Sequence, residues 1–198
     1  MKRILVLFAH PALQKSHANR SLLHAIQGLE GVTLHDLYQS YPDQLIDVKR
    51  EQALLAEHDM VVFQHPFYWY SSPAILKEWF DLVLEYGYAY GNEGDALRGK
   101  LWLSAITTGG APESYSTEGD NQRPLIDFLL PFQQTARLCG MHWLPPFVLH
   151  AFHKISDPTA LLRCGQEYRQ LLAALRDEQL TVESLSSHTY LRDALENL

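Results

Sequence analysis

Short apolar runs rich in β-branched residues recur five times along the chain, at Arg3 to Phe8, Val32 to Leu37, Met60 to Gln64, Leu101 to Thr107 and His142 to Leu149. A strand with one wet face alternates apolar and polar residues, whereas these runs are nearly continuous, as in strands covered on both faces. Helical patterns lie between them. Leu22, Leu23, Ile26 and Leu29 space one apolar stripe over Asn19 to Leu29, and Leu54 and Leu55 lie beneath charged residues in Val48 to His58. Pro73 suits a first helical turn, after which Ile75, Leu76, Trp79, Phe80 and Val83 share a face. Gln122 to Cys139 and Pro158 to Leu175 supply two more helices. This alternation predicts an α/β three-layer sandwich: a five-stranded parallel sheet with helices on both faces and right-handed crossovers, taken here in the doubly wound order 2-1-3-4-5.

A chain of 198 residues can bury a substantial core as one domain without disulfides or metals. Residues 1–177 form that unit, and residues 178–198 form a tail with a short helical pattern at Tyr190 to Leu195, which reads either as a helix packed on the domain or as a mobile end. The formal charge of −7 argues against nucleic acid as a partner, since phosphate-backbone binders carry clustered positive charge. Cys139 and Cys164 have neither CxxC nor zinc-site spacing and read as buried thiols of a reduced compartment. The apolar run after Met1-Lys2-Arg3 is interrupted by His10-Pro11 and lacks a cleavage region, so it reads as a strand rather than a secretory signal. No stretch approaches the roughly 20 apolar residues that cross a bilayer. A cytoplasmic protein is expected, reaching a membrane only through a partner. His142, His150 and His153 have no acidic companion pattern, so no metal site is expected.

In a doubly wound sheet of this order, the loops after strands 1, 3 and 4 flank the topological switch point, where ligands bind. All three are unusual here. The first, Ala9 to Asn19, contains Ser16, which can cap a helix, and amides of Ser16, His17, Ala18 and Asn19 that can cradle an anion. It has neither GxGxxG nor a Walker lysine, which excludes an ordinary Rossmann dinucleotide site and a P-loop. The second carries four consecutive aromatics, Phe67, Tyr68, Trp69 and Tyr70, directly after a strand and before a helix. Such a cluster either stacks on a planar ligand or fills a core or dimer contact. The third runs through Thr107, Thr108, Gly109 and Gly110 to Tyr115, and its paired glycines allow close backbone approach to a flat ring or make a plain turn.

Taken in order, Ala9-His10-Pro11, Ser16-His17-Ala18-Asn19, Asp36-Leu37-Tyr38, Gln64-His65-Pro66, Trp69-Tyr70-Ser71, Leu76-Lys77-Glu78-Trp79, Thr107-Thr108-Gly109-Gly110 and His142-Trp143-Leu144-Pro145-Pro146 resemble one family. It is the flavodoxin-like NAD(P)H:quinone oxidoreductases. Within that family, Tyr41-Pro42-Asp43 and Ile46-Asp47 are similar to the ancillary subunits of glutathione-gated potassium-efflux antiporters. The resemblance spans roughly residues 3 to 176.

It implies a flavodoxin-like flavin domain that binds FMN rather than FAD. The phosphate would sit at Ser16, His17, Ala18 and Asn19 beside His10, and the ring between Phe67 to Tyr70 and Thr107 to Gly110. It also implies hydride transfer from NADPH or NADH to the flavin and then to a quinone or other electrophile, in a ping-pong cycle. Tyr115 matches the family's active-site tyrosine and would donate a hydrogen bond to the acceptor oxygen. Asn121 departs from the family, whose well-studied reductases carry a histidine there; asparagine can orient a carbonyl but cannot deliver a proton near neutral pH. The resemblance further implies a homodimer and a potassium-efflux antiporter at the inner membrane as partner. Two other readings stay open: a regulatory antiporter subunit with little turnover, and a flavodoxin-type electron carrier.

Overall fold

Burial of apolar side chains on both sheet faces organises the chain. The computed structural model describes residues 1–151 and 158–198. Its strands are β1 (Ile4–Phe8), β2 (Val32–Asp36), β3 (Met60–Pro66), β4 (Leu101–Thr107), β5 (His142–Trp143) and β6 (Phe147–Leu149). They pair in parallel in the order β2-β1-β3-β4-β5, with β6 also on β4. The helices are α1 (His17–Ile26), α2 (Leu37–Ser40), α3 (Val48–Glu57), α4 (Ala74–Val83), α5 (Leu125–Phe128), α6 (Leu130–Leu138), α7 (Pro158–Arg176) and α8 (Val182–Leu185).

Three sequence expectations are corrected. The run from His142 to Leu149 is two short strands, because Pro145 and Pro146 lack the N–H groups that a continuous ladder needs. Gln122 to Cys139 is two helices that begin only after Pro124, with Pro131 in the first turn of the second. The edge strand β2 is not buried on both faces, and Leu34 is 47% exposed. Elsewhere the capping chemistry sets the ends: Asp36 caps α2 and stops β2, while Asp47 caps α3 by accepting from the Arg50 N–H.

Alternation along the strands divides the core in two. Leu5, Leu7, Val61, Phe63 and Trp102 point toward Leu55, Trp79 and Phe132. Ile4, Val6, Met60, Val62 and Leu103 point toward Leu22, Ile26, Tyr168 and Leu172. Each fully buried side chain of this kind stabilises the fold by about 1.5–3 kcal/mol.

One buried polar cluster lies within the first core. Glu51, 0% exposed, accepts from the Trp79 indole N–H at 2.8 Å, the Tyr41 hydroxyl at 2.5 Å and His35 Nε2 at 2.8 Å. These bonds tie β2, α3 and α4 to the Tyr41 loop. The chain's last residues pack on the second core: Leu185 is 1% exposed, and Leu191 and Ala194 are 0% exposed.

The strand register sets out the site. Phe8 pairs with Gln64, Gln64 with Ala105 and Ala105 with Phe147, while Pro66 pairs with Thr107 and Thr107 with Leu149. The segments leaving β1, β3, β4 and β6 therefore emerge side by side at one carboxyl edge.

Candidate functional site

The β1–α1 loop ends in a helix start with capacity for an anion. Ser16 Oγ accepts from the Asn19 backbone N–H and from Asn19 Nδ2, each at 3.2 Å, which leaves its own hydroxyl hydrogen for another acceptor. Among the described residues, the His17 and Ala18 N–H groups have no protein acceptor, as expected of a first helical turn. Arg20 adds a cation on that turn, donating to His17 Nδ1 at 3.1 Å. The buried His10 ring accepts from the Ala12 N–H at Nδ1 (3.0 Å), so Nε2 carries the proton of the neutral ring. Burial lowers its pKa from the ordinary 6.5, against the attraction of Asp36.

Asn19 and Thr107 turn inward. Asn19, fully buried, donates to Thr107 Oγ1 at 3.0 Å and accepts from Gln64 Nε2 at 3.4 Å. Gln64 in turn accepts from the Tyr168 hydroxyl at 3.1 Å. These polar side chains pin the first loop to the end of β4, so Asn19 and Thr107 support the site from beneath. A satisfied buried network of this kind fixes one geometry.

After β3, the Phe67 N–H donates to Thr107 O at 2.8 Å, and a tight turn follows, closed by Ser71 N–H to Tyr68 O at 2.9 Å. Trp69 and Tyr70 in this turn have φ of 51° and 61°. Left-handed backbone costs a residue with a Cβ roughly 1–2 kcal/mol. Such strain is a signature of functional loops. Trp69 is 94% exposed. The half-exposed Tyr68 sets its ring 6.0 Å from His10, linking the first two loops. Tyr70 stacks on Phe128 at 5.0 Å and donates its hydroxyl to Asn121 Oδ1 at 3.1 Å.

After β4, buried Thr108 donates to Gly110 O at 2.8 Å. Tyr115 folds back over Gly110 so closely that a Cβ there would lie 3.0 Å from its Cε2. The phenol is half-buried among Phe67, Phe128 and His150, with ring centroids at 6.1, 6.3 and 5.6 Å. Burial raises its pKa above the ordinary 10, with the Thr108 hydroxyl opposing, so it is a hydrogen-bond donor at neutral pH.

Between the aromatic loop and Gly109-Gly110 lies a cavity of about 380 Å³, lined by Phe67, Trp69, Tyr70, Tyr115 and Asn121 among others. A recess of about 520 Å³ beside α6 and β5, lined by Arg137, His142 and Trp143, lies away from the three loops. The structure thus gathers one group of the expected residues around one cavity and places Ser16, His17 and Ala18 at the neighbouring helix start. His153 lies outside the described residues. Among those described, no cluster of His, Cys, Asp and Glu has the arrangement of a metal site.

Sequence reasoning did not single out Phe128, Tyr168 or Arg20, and it weighed His150 only as a metal ligand. Tyr168 lies on α7 and meets the site only through tertiary packing, but Arg20 directly follows Ser16-His17-Ala18-Asn19 and was legible there. The donor set suits a flavin phosphate and ring: unpartnered amides, a free hydroxyl hydrogen, an aromatic wall and a glycine pair with close packing above it.

A family model for the flavodoxin-like fold matches residues 2–172, so the chain belongs to that family. It is 48% identical over 177 residues to the glutathione-regulated potassium-efflux system ancillary protein KefG of Pectobacterium carotovorum, covering 89% of this chain and 96% of that one. Among solved structures, the general stress protein 14 of Treponema denticola in complex with FMN is 35% identical, with a TM-score of 0.83 over 87% of this chain and 99% of that one. The NADPH-quinone reductase of P. pentosaceus is 30% identical, with a TM-score of 0.77 over 85% and 96%.

Proposed function

We propose that this chain is an FMN-dependent NAD(P)H:quinone oxidoreductase that also serves as the ancillary activator of a potassium-efflux antiporter. The observation that carries the reading is a cavity lined by the loops after β3 and β4 at the carboxyl edge of the sheet, with the start of α1 beside it. Bound FMN would supply two-electron chemistry, taking hydride from NAD(P)H and passing reducing equivalents to a quinone or other electrophile in a ping-pong cycle.

The chain's own groups supply binding, orientation and a proton. The His17 and Ala18 amides and the Ser16 hydroxyl would hold the phosphate at the positive end of α1. His10 offers its Nε2–H beside them. Phe67, Trp69 and Tyr70, with Gly109 and Gly110, line the cavity that would receive the ring, and amides of the glycine pair would stabilise negative charge there. Tyr115 donates to the acceptor oxygen.

The antiporter role follows the relatives' name, and it is favoured by bare Trp69 on a strained turn, an anchor of the kind that partner surfaces use. The protein would then work in the cytoplasm, peripheral to the inner membrane through its partner; no described helix is long and apolar enough to cross a membrane. A homodimer would cover the apolar groove of about 290 Å³ lined by Phe80, Leu84, Phe132 and Leu138.

Titration of the ligand-free protein into FMN, and separately into FAD, tests the site through flavin fluorescence. The expected result is saturable quenching of FMN at one equivalent per chain, weakened in Ser16→Ala. Absence of FMN binding refutes the oxidoreductase reading.

A further inference from the structure

The asparagine at position 121 gains a physical meaning from what holds its side chain. Tyr70, in the turn after β3, donates its hydroxyl to Asn121 Oδ1 at 3.1 Å. Asn121 lies in the loop after β4, and both residues line the cavity, so this bond joins the two loops that form it. The Tyr70 ring meets two others, stacked on Phe128 at 5.0 Å and edge-on to Phe67 at 6.2 Å. Asn121 is fixed through its backbone, whose N–H donates to Ser114 O at 3.0 Å. Left-handed backbone flanks the bond at both ends, with φ of 61° at Tyr70 and 52° at Gln122. Residues with a Cβ keep that conformation only where their surroundings over-determine it, and such strain collects at ligand clamps.

An amide side chain has one acceptor oxygen and one NH2 donor. Oδ1 is engaged by Tyr70, and among the described residues Nδ2 has no protein acceptor, so the two amide hydrogens remain for a ligand at the cavity wall. The Tyr115 phenol is a second neutral donor on that wall. Among the described residues that line the cavity none is Lys, Arg or His, and the exposed Asp120 sets a carboxylate at its rim. Neutral donors beside a negative charge suit an uncharged carbonyl and disfavour an anion.

We propose that Tyr70 is a positioning residue that holds the Asn121 amide with its NH2 turned to the cavity, where it donates a hydrogen bond to an uncharged carbonyl acceptor. The inference rests on the oxidoreductase reading and narrows its acceptor to neutral carbonyl electrophiles. The amide keeps both hydrogens throughout: it binds and orients the carbonyl and transfers nothing. Tyr70 acts only through Asn121, by occupying the oxygen that would otherwise compete for the same side of the cavity.

The test compares NADPH-driven reduction of a soluble neutral quinone by the FMN-loaded wild type, Tyr70→Phe, Asn121→Ala and the double variant. Tyr70→Phe keeps the stacked ring and removes only the hydroxyl. Each single change is expected to lower kcat/KM for the quinone about 3- to 10-fold, the effect of losing one hydrogen bond. The double variant is expected to lose no more than Asn121→Ala alone, because Tyr70 has nothing left to orient. In parallel, NMR follows the Asn121 side-chain NH2 pair in the ligand-free protein, and then in the oxidised FMN-loaded protein as quinone is added without nicotinamide. Tyr70→Phe is expected to shift the pair in the ligand-free protein, and the quinone to move it in wild type. The sulfonate of the same quinone is expected to bind about threefold or more weakly.

Losses that add in the double variant, an NH2 pair unchanged by Tyr70→Phe or unmoved by the quinone, or a sulfonate bound as tightly as the neutral form would overturn the proposal. Failure of NADPH to reduce the wild-type protein refutes the oxidoreductase reading instead, and the ligand-free NMR comparison then still decides whether Tyr70 orients the amide.

Discussion

Replacing Glu51 by glutamine tests whether the buried cluster that joins β2, α3 and α4 holds the fold. Oε1 accepts from Tyr41 and His35 and Oε2 from Trp79, so either orientation of a glutamine amide turns its NH2 toward at least one of these donors. A hydrogen bond to a charged group contributes about 1.5–3 kcal/mol, and a buried donor left unsatisfied costs about 1–3 kcal/mol. Together these place the loss at about 3–5 kcal/mol, the range found when one partner of a buried charged pair is removed. Against a total stability of about 5–15 kcal/mol this is a large fraction. Urea unfolding of the ligand-free protein at neutral pH reads it directly, and a loss under about 1 kcal/mol would refute the reasoning.

The same cluster makes a pH prediction. Burial alone raises the Glu51 pKa, but hydrogen bonds from His35, Tyr41 and Trp79 outweigh it and hold the carboxyl below its ordinary 4.5. A folded pKa below the unfolded one means the contribution is present above about pH 4.5 and is lost as pH falls through the folded value. Wild-type stability should therefore decline in this acid range more steeply than that of Glu51→Gln.

Tyr115→Phe removes a hydrogen-bond donor, and quinone turnover should fall about 10- to 100-fold, equivalent to about 1.5–3 kcal/mol of transition-state stabilisation, read by steady-state kinetics. Gly110→Ala puts a methyl 3.0 Å from Tyr115 Cε2, and the overpacking of about 1–3 kcal/mol should appear as weaker FMN binding in a fluorescence titration. Truncation after Asp177 removes the buried Leu180, Leu185 and Leu191, at about 1.5–3 kcal/mol each, so the shortened chain should unfold or aggregate at ambient temperature by circular dichroism and light scattering.

The sheet was legible because hydrophobic continuity is a local signal: Leu101 to Thr107 was read with the bounds it has, while the order of strands came with the flavodoxin-like fold and not from alternation, which is compatible with more than one order. The proline effects near Pro145 and Pro131 were also written in the sequence but were underweighted against the apolar runs around them. The three loops were legible as a set, since each follows a strand whose place in the sheet was already fixed. The inward turn of Asn19 and Thr107 was not, because it depends on Gln64 and Tyr168 meeting them across the core. Nor was the association of His150 with Tyr115, which arises only when β6 pairs with β4 and the last residues fold back over the break between β5 and β6.

The central claim is tested most directly by an anaerobic absorbance experiment on the FMN-loaded protein, with NADPH or NADH added first and a soluble quinone second. The account predicts bleaching of the bound flavin by the nicotinamide and its recovery on addition of quinone. Bound flavin that neither nicotinamide reduces would contradict it.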